Sequence, residues 1–278
     1  MDDVKLKKCG GCDLVRYCSD TCKEDHRPEH EAKCKERAAE LYDDILFRQP
    51  ESSYLGDCPI CCVPLEIKDG KRSMYPCCGK LICNGCAYAN QMLKFQENMP
   101  RTCPFCRQPV PKTDEEGEMI MMKRVAANDP VALCLMGERQ SHERDFEGAF
   151  EYWTKAAELG GADAHFKLAL LYFEGLGVQK DEKKELFHLE EAAILGHPHA
   201  RHNLGCIEES NGRFDRAVKH WIIAANLGLD RSIQELKECF KKEFVSKEDF
   251  AVALRAHHAA IDATKSPQRR EAAEFLGV

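Results

Sequence analysis

Apolar positions follow different rules in the two halves of this chain. From Asp129 to about Asp262 they recur at helical spacing, and the spacing itself repeats. Ala132, Ala164, Ala200 and Ser232 stand 32, 36 and 32 residues apart, each followed four residues later by Met136, Leu168, Leu204 or Leu236. A second row keeps step: "WTKAAELG", "LEEAAILG" and "WIIAANLG" align Trp153, Leu189 and Trp221, then paired alanines, then Gly160, Gly196 and Gly228. The pattern predicts pairs of antiparallel helices in which small residues allow close approach, a large one fills the gap, and glycine takes the left-handed residue that ends the second helix. "NDP" predicts the first start, with Asp129 as cap and Pro130 as first helical residue. A fourth unit, through "FAVALRAHHAAID", is degenerate, as a terminal repeat usually is.

The first 34 residues show little periodicity and many Cys and His, so a core cannot order them; metal can. "KERAAELYDDILFRQP" then places Ala38, Leu41, Tyr42, Ile45 and Leu46 on one stripe before Pro50, predicting a connecting helix over residues 37–50. A second cysteine block spans residues 57–110. "PKTDEEGE" reads as a linker into a helix from Met119 to Ala127, within residues 111–128. "KSPQRREAAEFLGV", in residues 263–278, reads as a polar tail with a short final helix and Lys265, Arg269 and Arg270 in solvent.

Composition narrows the function classes. The 278 residues are 44% apolar and 31% charged, ordinary for a globular protein, with no apolar run long enough for a membrane span and no signal-like start. An intracellular address, cytoplasmic or nuclear, is the expectation. A net charge of −7 with scattered cations gives no field for a phosphate backbone, so nucleic acid and membrane are not expected partners. Of 17 cysteines, fourteen fall between Cys9 and Cys106. Thiols so clustered in a reducing compartment ligate metal more often than each other. Cys134, Cys206 and Cys239 read as small core residues, and the histidines of the repeats as mostly helix-surface residues. GxxxxGK[ST], HExxH, GxSxG and GxGxxG are all missing, so no catalytic residue is assigned.

Three resemblances follow from these residues. "YFEGLGVQKDEKKELFHLEEAAILG" resembles a Sel1-like repeat, a relative of tetratricopeptide repeats, although the first and third units lack its Gly-rich loop. That likeness, over residues 129–262, implies a solenoid whose concave groove takes a peptide or protein. "CGGCDLVRYCSDTCKEDHRPEHEAKC", in residues 5–36, is similar to the later three-quarters of a MYND finger, in which ligand pairs interleave around two zincs. The resemblance implies one complete Zn²⁺ site from Cys9, Cys12, His30 and Cys34. Cys18 and Cys22 are left as a possible additional pair whose partners would lie ahead of Met1, and His26 stands where the family usually has Trp. A sequential set of Cys9, Cys12, Cys18 and Cys22 would strand His30 and Cys34.

The block at residues 57–110 resembles an all-cysteine RING finger. Interleaving there would join Cys58, Cys61, Cys83 and Cys86 on one ion and Cys77, Cys78, Cys103 and Cys106 on the other, with Cys62 able to compete with Cys61. The adjacency of Cys77 and Cys78 departs from the family pattern. Three zincs per chain are expected, four if Cys18 and Cys22 find partners. The expected fold class is small zinc-stabilised fingers, irregular α+β, followed by an all-α solenoid of helix-turn-helix repeats. The RING likeness implies contact with a ubiquitin-conjugating enzyme through Ile60, the helix from Tyr88 through Met92, Pro104 and Arg107. It therefore implies a ligase without a covalent nucleophile, the alternative being a non-enzymatic scaffold or adaptor.

Overall fold

The structure, a computed structural model, describes residues 7–9, 16, 17 and 20–277. It divides into two compact units, Met1–Gln49 and Pro50–Val278.

In the first unit, β1 (Lys7–Lys8) pairs antiparallel with β2 (Arg16–Tyr17), in register Lys7 to Tyr17. They precede α1 (Asp20–Leu46), one uninterrupted helix of 27 residues. The expected connecting helix is thus the continuation of the helix that carries His30 and Cys34, not a separate element. Of its apolar stripe, Leu46 is buried while Tyr42 and Ile45 stay exposed.

The second unit begins with the cysteine-rich block. A hairpin of β3 (Arg72–Met74) and β4 (Leu81–Cys83) leads into α2 (Asn84–Gln96). Its small core consists of Cys58, Leu65, Ile82 and Cys83, with Leu55 and Tyr75 packed against it. Next comes α3 (Asp114–Ala126), which starts inside the expected linker. Thr113 caps it by accepting from the Glu116 N–H, and three acids in its first turn oppose Lys123 and Arg124 in its last, so the charged stretch is a helix start rather than a spacer.

The repeats follow as helix pairs: α4 (Pro130–His142) with α5 (Phe146–Glu158), α6 (Ala162–Glu174) with α7 (Glu182–Ile194), α8 (Pro198–Ser210) with α9 (Phe214–Asn226), and α10 (Asp230–Lys241) with α11 (Lys247–Ala263). Asp129 caps α4 by accepting from Val131 and Ala132, with Pro130 first, as expected. The Ala/Ser row is wholly buried, as are Trp153, Leu189 and Trp221, and Gly160, Gly196 and Gly228 have φ between 83° and 92°.

A third row was not expected. Gly137 and Gly205 are the seats of the two indoles: a Cβ on either would lie inside 3.0 Å of the Trp153 or Trp221 ring. Each indole N–H also donates to a carbonyl of the facing helix, Trp153 to Cys134 at 3.1 Å and Trp221 to His202 at 3.3 Å. In the second repeat the same two positions hold Ala169 and the smaller Leu189, both buried.

The last helix, α12 (Pro267–Leu276), is the short final helix expected there, but it is not a solvated tail. It packs on α2, close enough that a Cβ on Gly85 would strike the Arg269 backbone, and Arg269 is buried rather than solvated. Two further expectations hold only in part: of the repeat histidines His142 and His258 are exposed and His165, His188 and His199 half-buried, but four are not on the surface. His197, His202, His220 and His257 are buried, held by neighbours such as Asp163, Ser232 and Asp230. Of the three repeat cysteines only Cys239 is a core residue; Cys134 is half-buried and donates to Asp163 at 3.4 Å, and Cys206 is exposed. Among the described residues no helix is long and apolar enough to cross a membrane.

Candidate metal centres

In the second unit the chain's own turns gather eight thiols into two quartets. "CPIC" and "CPFC" each form a tight knuckle: Cys58 N–H donates to Val63 and Cys103 N–H to Gln108, while Cys62 and Arg107 occupy the same left-handed position, φ 55° and 63°, and close the turn back onto Cys58 and Cys103. Cys77 and Cys78 lie in the turn of the β3/β4 hairpin, and Cys83 ends β4. Cys83 also caps α2, its sulfur accepting from the Cys86 N–H at 3.4 Å, which sets Cys86 one helical turn away. The crowding is therefore a hairpin whose turn serves one centre and whose outgoing strand serves the other.

The sulfurs of Cys58, Cys61, Cys83 and Cys86 lie within 4.8 Å of one another, and so do those of Cys77, Cys78, Cys103 and Cys106. Cys61 to Cys83 and Cys78 to Cys103 are both 3.8 Å, and Cys106 to Cys77 is 3.3 Å. Zn–S bonds of about 2.3 Å at tetrahedral angles require roughly 3.8 Å between sulfurs, against about 2.05 Å in a disulfide. All described cysteines are free thiols. Cys62, turned outward by its left-handed backbone, belongs to neither quartet.

Electrostatics points the same way. Burial works against the Cys58 thiolate, but N–H groups of Cys61, Cys83 and Ile60 outweigh it and bring the thiol down to about 7. Burial and neighbouring thiols raise Cys77 and Cys86 instead. Four thiolates at these distances need a cation among them, and the all-sulfur tetrahedral set suits Zn²⁺.

In the first unit, Cys9, His30 and Cys34 present ligand atoms within 4.8 Å, with Cys9 and Cys34 sulfurs 3.6 Å apart. His30 and Cys34 meet because four residues on one helix share a face. His26 stacks on His30, centroids 5.5 Å apart. Cys12 and Cys18, with the Cys22 side chain, lie outside the described residues.

The residues expected to meet a conjugating enzyme divide. Ile60 is 42% exposed and Arg107 is exposed, on separate knuckles, with Pro104 half-buried between Cys103 and Phe105. Tyr88 packs against Phe275 of α12, ring centroids 4.9 Å apart, and Met92 is half-buried. Phe105, exposed in the second knuckle where Ile60 stands in the first, was missed, although the shared Cys-Pro-apolar-Cys signature marks both.

Two arginines fix the block to the solenoid. Arg124 of α3 donates to the Pro76 carbonyl beside the Cys77–Cys78 turn, rests where a Gly79 side chain would sit, and pairs with Asp129 at 2.8 Å. Arg269 of α12 donates to Val63 at 3.0 Å and Pro64 at 2.7 Å, with the Cys61 sulfur at 3.9 Å. Burial opposes the Arg269 charge, while the Cys83 and Cys61 thiols favour it and raise its pKa. Between these clamps Tyr54 donates its N–H to Gly196 and stacks on His197. It leaves a cavity of about 640 Å³ lined by Tyr54, Arg72, Lys167 and His197 among others.

Family models match at both ends. The MYND finger model covers residues 2–34 and the Sel1 repeat model covers 130–161, 162–197 and 198–229. The fourth helix pair lies beyond the last match. The protein "Putative beta-lactamase HcpC" from two Helicobacter pylori strains is 35% identical over 68 residues and 34% over 64, or 24% and 23% of this chain. The match spans only 23% and 22% of those relatives' length. Among solved structures, a Sel1 repeat protein from Oxalobacter formigenes is 24% identical with TM-score 0.48, over 65% of this chain and 76% of that one. The protective antigen c5321 of uropathogenic Escherichia coli, displaying an SLR fold, is 23% identical with TM-score 0.42, over 60% and 37%. With cysteine and histidine clusters that fit Zn²⁺ and helical repeats after them in sequence, this chain carries an N-terminal MYND finger and three Sel1 repeats.

Proposed function

We propose that this protein is a zinc-organised protein-interaction protein whose cysteine-rich block acts as a RING-type ubiquitin ligase, with the MYND finger and helical repeats selecting the protein that is modified. The observation that carries the reading is the interleaving of two thiolate quartets that turns the Ile60 and Arg107 knuckles outward. In this reading the block supplies no covalent nucleophile. Its contribution is orientation: Ile60, Phe105 and Pro104 offer an apolar seat for a conjugating enzyme, and Arg107 a cation at its edge, holding the charged thioester toward a substrate amine.

The adaptor reading has its own support. Tyr88, one of the residues such a seat would use, is engaged by Phe275 of the same chain. Reconstituted autoubiquitination with a panel of conjugating enzymes separates the two. The ligase reading expects chains with at least one enzyme, reduced roughly tenfold or more by Ile60→Ala and by Arg107→Ala. Zinc-loaded protein that forms chains with none of them leaves the adaptor.

A further inference from the structure

The docking of α12 on α2 creates a surface that neither helix has alone. At its centre are Phe95, 80% exposed, and Phe275, 62% exposed, which come from positions 180 residues apart in sequence. Met92 and Met99 complete the apolar floor around a depression of about 470 Å³. Soluble surfaces seldom leave two phenylalanines side by side in water unless something covers them.

The rim says what kind of partner covers them. Two of the lining residues are cations, Lys94 and Arg101, and none is an acid. Among the described residues Lys94 meets the Met99 sulfur at 4.0 Å and Arg101 the Gln91 amide oxygen at 3.5 Å, and neither is neutralised by a carboxylate. Glu97 and Glu274 are neighbours in sequence but lie outside the lining. Met99 is held by the turn that ends α2, in which its N–H donates to the Lys94 carbonyl, and Phe275 is held by packing on Tyr88 of α2, ring centroids 4.9 Å apart. The site is therefore set before anything arrives, which lowers the ordering cost of binding.

We infer that this α2/α12 surface docks an acidic peptide segment of a partner protein, one presenting two bulky apolar side chains about a helical turn apart with Asp or Glu beside them. The apolar pair enters between Phe95 and Phe275, and the acids meet Lys94 and Arg101. Ile60 is not among the lining residues, whereas Met92 also lies on the helix that the ligase reading assigns to the conjugating enzyme, so Ile60→Ala is the variant that separates the two.

A random peptide display library panned on the zinc-loaded full chain tests it. The expected outcome is enrichment of net-acidic sequences with paired large apolar residues. A synthesised winner should lose affinity roughly tenfold on Phe95→Ala and on the Lys94→Glu, Arg101→Glu double variant, and keep it on Ile60→Ala. All these side chains are on the surface, so circular dichroism and zinc content should match the parent. No enrichment, enrichment of basic or uncharged peptides, binding indifferent to the Phe95 and cation variants, or binding lost on Ile60→Ala would each overturn it.

Discussion

At the scale of single residues, the repeats turn on how small one residue must be for its neighbour to be large. Gly205 sits under Trp221, and a methyl there would lie inside 3.0 Å of the indole, while Gly117 in α3 has nothing nearer than Pro111 at 3.9 Å. Replacing a helical glycine by alanine is worth up to about 1 kcal/mol in backbone preference. Forcing an extra carbon into a packed core costs about 1–3 kcal/mol. Gly117→Ala should therefore raise the urea midpoint and Gly205→Ala should lower it; equal shifts in one direction would mean that the indole seat is not tight. The small-to-large logic was legible because it repeats: Ala132, Ala164 and Ala200 advertise themselves by period. The Gly137 and Gly205 row has the same period, but glycine in a helix carries no apolar signal and escaped it. The buried histidines escaped too, because His202 meets Ser232 of the next repeat and His257 meets the Ala225 carbonyl of the preceding one, partners that no local pattern points to.

Among elements, α12 is the clearest case of a segment whose sequence misdescribes its place. Its polar composition reads as a solvated tail, yet Arg269 reaches the Val63 and Pro64 carbonyls, the latter 205 residues earlier in the chain. A carbonyl has no residue signature, so such a bond cannot be read from sequence. Removing the guanidinium takes a donor from the Pro64 and Thr264 carbonyls and leaves the Val63 carbonyl with the Cys58 N–H, at about 1–3 kcal/mol for each acceptor left unmet. Hydrogen exchange should show α12 amides exchanging roughly tenfold faster or more in Arg269→Ala. Arg269→Lys should not restore protection, because an ammonium cannot span both carbonyls as the planar fork does. Unchanged protection in both variants would make α12 independent of the clamp. By contrast, the start of α4 was readable from "NDP" alone, since cap and first-turn chemistry are contained in three consecutive residues.

For the whole molecule, the decisive feature is metal ligation in place of a core. The cysteine-rich block buries few apolar side chains, and two thiolate quartets stand where a larger domain would have leucines. The quartets were legible as spacing. Their joining to the solenoid through Arg124, Arg269 and Tyr54 was not. The most direct measurement is zinc per chain in purified, reduced protein by elemental analysis, with native mass spectrometry to count ions molecule by molecule. The predicted result is three: one for each quartet and one for Cys9, Cys12, His30 and Cys34. Folded protein with no bound zinc, or with sulfur-to-sulfur bonds within the quartets, would contradict the account.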